Sequence, residues 1–482
     1  MQIRRQWLSA CAFCLFVLAY ASGPATATDR AERDAHHQNA TRARDLHDPD
    51  ATRARDLHDP DAVDEREAHK KKTASDELTP AWQLARQAEG EPYWAPLLRL
   101  REAEAQYRGT PQWGAYAQLR AYLECNVGDH FAALAAWDAA FTPRDSVGTL
   151  PAGIVARDAI KTLSAVADTA RVIMINERHH AASDRLLTLA LLPILRDKGF
   201  RYFAAEAFDP RDSGLNQRPY PVAATGTYLR DPVFAEIVRE ALRLGYTLVP
   251  YESMRGEEAG DDSMTTQQRR DFTEARNLAQ ATVAQDQGAK ILVHAGYSHV
   301  LERASERFTP MALYFRQLTG IDPVTVDQTR LSERSEAEYE APAYRACLKA
   351  GLLKDRAVIL FQPNGKPYAP VDFAVDYQVF TPRTHYEDGR PSWMRMGGLR
   401  HAIRVDVPEA EDEWCMVEAR VPDEPDEAIP LDRCELEGTQ KATLFVPPLK
   451  KFILWVRDRD GELLRKTLVT NPRSDDAKEE EE

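Results

Sequence analysis

A chain of 482 residues with 43% hydrophobic and 29% charged content holds enough apolar material for two or three folded domains. That balance excludes a fibrous or wholly disordered protein. The formal charge of −14 points away from nucleic acid as a partner, because phosphate binding needs clustered Lys and Arg.

Residues 1–27 have the form of a secretory signal peptide. Arg4 and Arg5 precede an apolar run from Trp7 to Tyr20, and small residues follow, with Ala-Tyr-Ala ending at Ala21 and Ala-Thr-Ala ending at Ala27. The run is too short to span a bilayer comfortably, and no other segment could cross one. The expectation is a secreted or periplasmic bacterial protein with no transmembrane segment after signal removal. Leu8-Ser9-Ala10-Cys11 resembles a lipoprotein cleavage box, but it precedes most of the apolar run, so lipidation is not expected.

Residues 28–78 are polar, highly charged and almost free of aromatics, which reads as a disordered linker. An 11-residue unit, Ala-Thr-Arg-Ala-Arg-Asp-Leu-His-Asp-Pro-Asp, begins at Ala40 and again at Ala51. The scattered His36, His37, His47, His58 and His69 are read as tether residues and not as metal ligands.

Residues 79–150 form a helical region, with Leu84, Ala88, Leu97, Ala103, Tyr107, Tyr116, Leu119, Leu123, Leu134 and Trp137 recurring near helical spacing. Gly109-Thr110-Pro111 and Gly128 break it into pieces. It either caps the next domain or offers a surface to a protein partner.

Residues 151–330 alternate strands and helices. Strands are expected at Arg171–Asn176, Arg201–Glu206, Tyr246–Tyr251, Lys290–His294 and Pro323–Asp327. Helices are expected at Ala181–Lys198, Pro232–Leu244, Thr265–Gln287 and Met311–Thr319. A Gly follows each helix as a stop signal. The fold class is therefore α/β, with a mostly parallel sheet flanked by helices. Residues 331–470 contain short runs such as Ala357–Phe361, His401–Val407, Trp414–Val421, Ala442–Val446 and Lys451–Val456, split by Pro, Gly and Asp. They read as a small β-rich region, either a separate antiparallel domain or an extension of the sheet. Residues 471–482 form an acidic, disordered tail. Of the six Cys, Cys11 and Cys14 fall in the leader; Cys125 and Cys347 read as core, and Cys415 and Cys434 could pair in an exported protein.

Chemistry gathers at the strand ends. Glu177, His179 and His180 follow the first strand of the core, Glu206 the second, Tyr251 and Glu252 the third, His294 and then His299 the fourth, and Asp327 the fifth. The carboxyl ends of parallel strands are where such sheets bind ligands. Glu177 and His180, three apart at the strand-to-helix turn, suit a carboxylate orienting an imidazole base. Glu206, on an adjacent strand, could place a water, His294 could polarise a carbonyl, and Arg185, one turn into the helix, could stabilise an oxyanion. The same imidazoles and carboxylates could hold a metal. Gly296-Tyr-Ser-His-Val lacks the second Gly of a nucleophile elbow, so Ser298 is not expected to be a nucleophile. No Gly-rich phosphate loop is present, so no nucleotide cofactor is expected.

The motifs Ile175-Asn-Glu-Arg-His-His, Gly199-Phe-Arg-Tyr-Phe-Ala-Ala-Glu, Leu244-Gly-Tyr-Thr-Leu-Val-Pro-Tyr-Glu, Arg276-Asn277-Leu-Ala and Val293-His-Ala-Gly-Tyr-Ser-His resemble the erythromycin esterase/ChaN-like superfamily and, more distantly, TraB/TIKI-type metalloproteases. The resemblance covers about Ala165 to Thr329, and Asn176 stands where members usually carry Gly. It implies a water-attack mechanism carried by Glu177, His180, Glu206 and His294 or His299. Catalytic roles are thus expected for Glu177, His180, Glu206 and His294. Substrate contacts are expected from His179, Arg185, Glu252, Arg276, Asn277 and His299. The leading expectation is cofactor-free hydrolysis of an ester or related acyl bond in a small molecule. The alternatives are a haem- or divalent-metal-binding protein using the same crevice, and a non-enzymatic interaction protein working through the helical front.

Overall fold

The computed structural model describes residues 78–141, 148–254, 259–260, 263–306, 308–449 and 451–471. The stretches expected to be a signal peptide, a disordered linker and an acidic tail lie outside these residues, except for Leu78 and Asn471 at their edges. Among the described residues no helix is long and apolar enough to cross a membrane.

Helices α1 (Ala81–Leu84), α2 (Ala95–Tyr107), α3 (Trp113–Val127) and α4 (His130–Asp138) come first. Then β1 (Val155–Asp158), α5 (Ala159–Val166), β2 (Val172–Glu177), α6 (Arg185–Asp197), β3 (Tyr202–Ala205), α7 (Pro232–Arg243), β4 (Thr247–Pro250), α8 (Thr266–Ala281), β5 (Ile291–Gly296), α9 (Met311–Thr319) and β6 (Val324–Asp327) alternate. After α10 (Pro342–Lys349) come β7 (Val358–Phe361) and β8 (Tyr377–Phe380), a small hairpin of β9 (Tyr386–Glu387) and β10 (Arg390–Pro391), and then β11 (His401–Asp406), β12 (Cys415–Arg420), β13 (Asp432–Leu436), β14 (Lys441–Val446), β15 (Lys451–Arg457) and β16 (Leu463–Thr470).

The main sheet has eight strands in the order β1-β7-β8-β6-β2-β5-β3-β4. The run from β8 to β4 is parallel, and β7 and β1 add antiparallel strands at one edge. The sheet therefore continues past residue 330 into the stretch read as β-rich. An apolar run such as Val358–Phe361 announces a strand, but nothing local says which sheet it joins. The remaining strands, β11–β14 and β13-β12-β15-β16, pack around a second core that includes Ile403, Val417, Leu444, Leu454 and Val456. Cys415 and Cys434 are buried there as separate free thiols, like Cys125 and Cys347 elsewhere.

Period-two alternation along β2 and β5 makes two cores. Ile173, Ile175 and Leu292 face α6 and α7, meeting Leu192, Phe234 and Ile237. Val172, Met174, Ile291 and Val293 face α8 and α9, meeting Ala275, Leu278, Met311 and Phe315. Helix α8 is started by a capping box of Thr265 and Gln268. It ends at Ala281, short of the expected Gln287, because residues 282–285 turn away before Gly288.

The front helices do not stand apart. Trp94, Leu97, Tyr116 and Leu123 share a core with Met416 of β12. Trp94 meets Trp414 at 5.7 Å, and Arg101 of α2 reaches Glu435 of β13.

Candidate functional site

The alternation that builds the two cores also divides the functional residues. Glu177 and His294 have the register of the α6 face. His294 Nε2 lies 3.0 Å from Glu177 Oε2, and its Nδ1 lies 2.9 Å from Thr188 Oγ1 on α6. Arg185, at the start of α6, donates from Nε to Glu177 Oε2 at 2.8 Å and also bonds Asp231, which caps α7. Glu206 emerges toward α8 instead. It accepts from Arg270 at 2.9 Å, and Arg270 also pairs with Glu252 and Glu274. His299 is held on that side by Asp271, 2.8 Å from its Nδ1.

His179 and Gly296 join the halves over the rim of the sheet. His179 Nδ1 lies 2.8 Å from Glu177 Oε1, and its Nε2 lies 4.0 Å from Glu206 Oε2. The Gly296 N–H donates to Glu206 Oε2 at 2.6 Å. A Cβ at Gly296 would stand 2.4 Å from His179 Nε2 and 2.8 Å from Glu206 Oε2, so the close approach requires glycine. Tyr297, next in sequence, adopts φ 38°, a left-handed conformation uncommon outside glycine. Its ring stacks on Trp137 at 5.5 Å, and its hydroxyl lies 3.3 Å from His180 Nδ1.

Charge in this buried network is set by partners. Burial works against the Glu177 carboxylate, but Arg185, His179 and His294 outweigh it and hold its pKa well below the usual carboxylate range. Burial also opposes charge on Glu206, yet His299, His179 and Arg270 bring it to about 2. His299 is opposed by burial and raised by Asp271 and Glu206. His180 is pushed well below the ordinary imidazole value by burial and by Arg178 and Arg334, so it stays neutral.

The structure brings Glu177, His179, Glu206, His294 and His299 into one cluster, all of them buried. Several expected relationships differ. The imidazoles bonded to Glu177 are those of His179 and His294. His180 turns to the other side, stacked on Trp137 at 4.3 Å, so the expected Glu177–His180 pair is not the pair formed. Glu206 is not on the strand adjacent to β2, because β5 lies between β2 and β3. Arg185 is fully buried and bonded to two carboxylates, which leaves it a support for Glu177 and not an oxyanion group. Glu252 belongs to the cluster through Arg270. Arg276 and Asn277 follow Glu274 along α8, and Asn277 bonds the Tyr251 carbonyl at 3.3 Å.

Sequence reading missed Arg270, Asp271, Glu274, Thr188, Asp231, Trp137, Tyr228 and Tyr297. One signal was available: α8 covers one face of a parallel sheet yet carries few apolar residues, so some of its charged groups had to point inward.

A divalent ion fits poorly among Asp271, Glu274 and His299, although their ligand atoms lie within 4.8 Å of one another. Asp271 Oδ1 already lies 2.8 Å from His299 Nδ1 and accepts from the Met311 N–H at 3.0 Å, and the Arg270 guanidinium lies 2.8 Å from Glu274 Oε1, so these ligand atoms are engaged and a fixed cation already stands beside them.

No protein-family model matches the chain, and no curated protein matches it. Solved structures with some likeness include the type III effector HopBA1, at 13% identity and TM-score 0.26, covering 40% of this chain and 96% of that one. Another is RRSP, a MARTX toxin effector domain from Vibrio vulnificus, at 12% identity and TM-score 0.25, covering 48% of this chain and 52% of that one. A third is the C-terminal region of Pasteurella multocida toxin, described with a thiol-protease-like catalytic triad, at 10% identity and TM-score 0.28, covering 83% of this chain and 61% of that one. The chain thus spans less than two thirds of the latter two. At such scores none of these likenesses bears on what this chain does.

Proposed function

We propose that the protein is a hydrolase that uses His179 as a general base to drive water onto an ester or related acyl carbon. The observation that carries this reading is the relay Glu177–His179–Glu206: Nδ1 bonded to one carboxylate at 2.8 Å and Nε2 standing 4.0 Å from another. A carboxylate at Nδ1 fixes the tautomer with the proton on that nitrogen, leaves Nε2 basic, and stabilises the imidazolium that forms. The Nε2–Oε2 gap is too long for a direct hydrogen bond, and a water beside it can contact both atoms. Glu206 stays ionised and, tied down by Arg270 and Gly296, can orient that water without taking its proton. His294, held by Thr188 and Glu177, lies on the same rim.

This reading moves the base from His180 to His179 and keeps Glu177 and Glu206 in the roles of orienting the base and placing water. It agrees in outline with the mechanism implied by resemblance to the erythromycin esterase/ChaN-like superfamily, and an exported protein would present the site outside the cytoplasm. The test is a screen of the leaderless protein against ester and amide panels, with and without chelator, beside Glu177→Gln. Hydrolysis that survives chelation and is lost in the variant supports the reading. Equal hydrolysis by both proteins refutes it. A stoichiometric metal or a haem absorbance band in active protein would favour the ligand-binding alternative.

A further inference from the structure

The strap from Phe208 to Asp231 crosses the site between β3 and α7. Its ends are pinned together: Phe208 and Gly226 form a bridge, and the Asp209 N–H donates to the Thr225 carbonyl at 2.8 Å. A Cβ at Gly226 would lie 1.6 Å from the Ala207 carbonyl oxygen, so this closure also requires glycine. Just beyond it, the Tyr228 ring lies flat on the His179 imidazole, with centroids 3.7 Å apart and planes inclined by 7°.

The strap is held from outside the α/β core on two sides. From the helical front, Tyr122 donates its hydroxyl to the Thr227 carbonyl and meets the Tyr228 ring edge-on at 5.5 Å, and Gln87 accepts from Arg230 at 2.8 Å. From the β-rich region, Ala428 bridges Val222, and the Ile429 N–H donates to the Pro221 carbonyl at 3.0 Å.

A hydrogen bond at Nδ1 fixes one edge of an imidazole but leaves the ring able to pivot about that bond. A ring stacked face to face removes the pivot. Resting on the hydrolase reading above, we infer that Tyr228 is a positioning residue: the closed strap presses its ring onto His179 and fixes the plane in which Nε2 meets Glu206. The helical front and the β-rich region act as the two latches. Glu177, His179, Glu206 and His294 are exposed by only 1%, 6%, 4% and 2%, so substrate enters when the strap lifts and the base is aligned when it closes.

The test measures carbethoxylation of each histidine by diethyl pyrocarbonate, read by peptide mass spectrometry on the intact chain, with exposed His385 as internal reference. Wild type and Tyr228→Phe, which keeps the ring, should label slowly at His179. Tyr228→Ala should label there at least about tenfold faster, because local opening now exposes the imidazole. Tyr122→Phe keeps both rings and removes only the hydrogen bond from the helical front to the Thr227 carbonyl, and should give an intermediate rate. Circular dichroism and the unfolding midpoint report whether each variant folds. If Tyr228→Ala does not fold, Tyr122→Phe carries the test. A His179 rate equal to wild type, relative to His385, in the folded variant overturns the inference. Labelling needs no turnover, so a protein without hydrolytic activity would end the hydrolase reading while this measurement still decided the strap. With a substrate in hand, Tyr228→Phe should retain kcat and Tyr228→Ala should lose kcat more than it raises KM.

Discussion

Gly296 and His179 approach so closely that one added methyl group would lie 2.4 Å from the His179 Nε2. This contact holds the two halves of the site in register, because the same glycine donates its N–H to Glu206. Gly296→Ala should therefore separate His179 from Glu206. The expected outcome is loss of turnover together with destabilisation of about 1–3 kcal/mol, the usual cost of overpacking. Kinetics and urea unfolding on the same preparation check it, and wild-type turnover by the variant would show that the contact is not needed.

Arg185 lies between Glu177 and Asp231 with its guanidinium wholly buried. Removing it strands two carboxylates away from water. Arg185→Met should cost about 3–5 kcal/mol of stability, the range for breaking a buried ion pair. A change below 1 kcal/mol in urea unfolding would argue that water enters this part of the structure.

Acid stability should follow Glu206. Its folded pKa of about 2 lies below its ordinary value of 4.5, so its ionised form stabilises the fold above the ordinary value. That contribution is lost as the pH falls from about 4.5 toward 2. Glu206→Gln should be less stable than wild type near pH 6, and the difference should shrink through that window. Unfolding curves at pH 6, 4 and 3 test it, and a difference independent of pH would contradict the assignment.

His299 shifts in the opposite sense. Its pKa is raised, so its charged form stabilises the fold below the ordinary imidazole value of 6.5 and the contribution is lost as the pH rises through the higher folded value. His299→Gln should lower stability most on the acid side of that transition and least above it. Loss of the same size at every pH would mean that folding does not shift the His299 pKa.

Much of the α/β core could be read from the chain. Runs such as Val172–Ile175 and Ile291–Val293 are apolar because both faces are buried, and the polar residues that follow, Asn176 and Glu177 in one and His294 in the other, mark the rim. Strand order was not legible, since β5 enters between β2 and β3 only through tertiary pairing. Nor was it legible which of two adjacent histidines meets Glu177. A turn after a strand can send either imidazole inward, and the choice between His179 and His180 is made by Trp137 and Tyr228, distant in sequence, each stacking on one of them. Which charged residues of α8 point inward was not legible, because charge patterning does not say which side a sheet covers.

The relay from Glu177 through His179 to Glu206 is tested most directly by comparing His179→Ala with His180→Ala on one hydrolysed substrate. General-base catalysis contributes about 10²–10⁴-fold, so His179→Ala should lose at least about 10²-fold in kcat while His180→Ala stays within about tenfold of wild type. The reverse order, with His180 essential and His179 dispensable, would contradict the account.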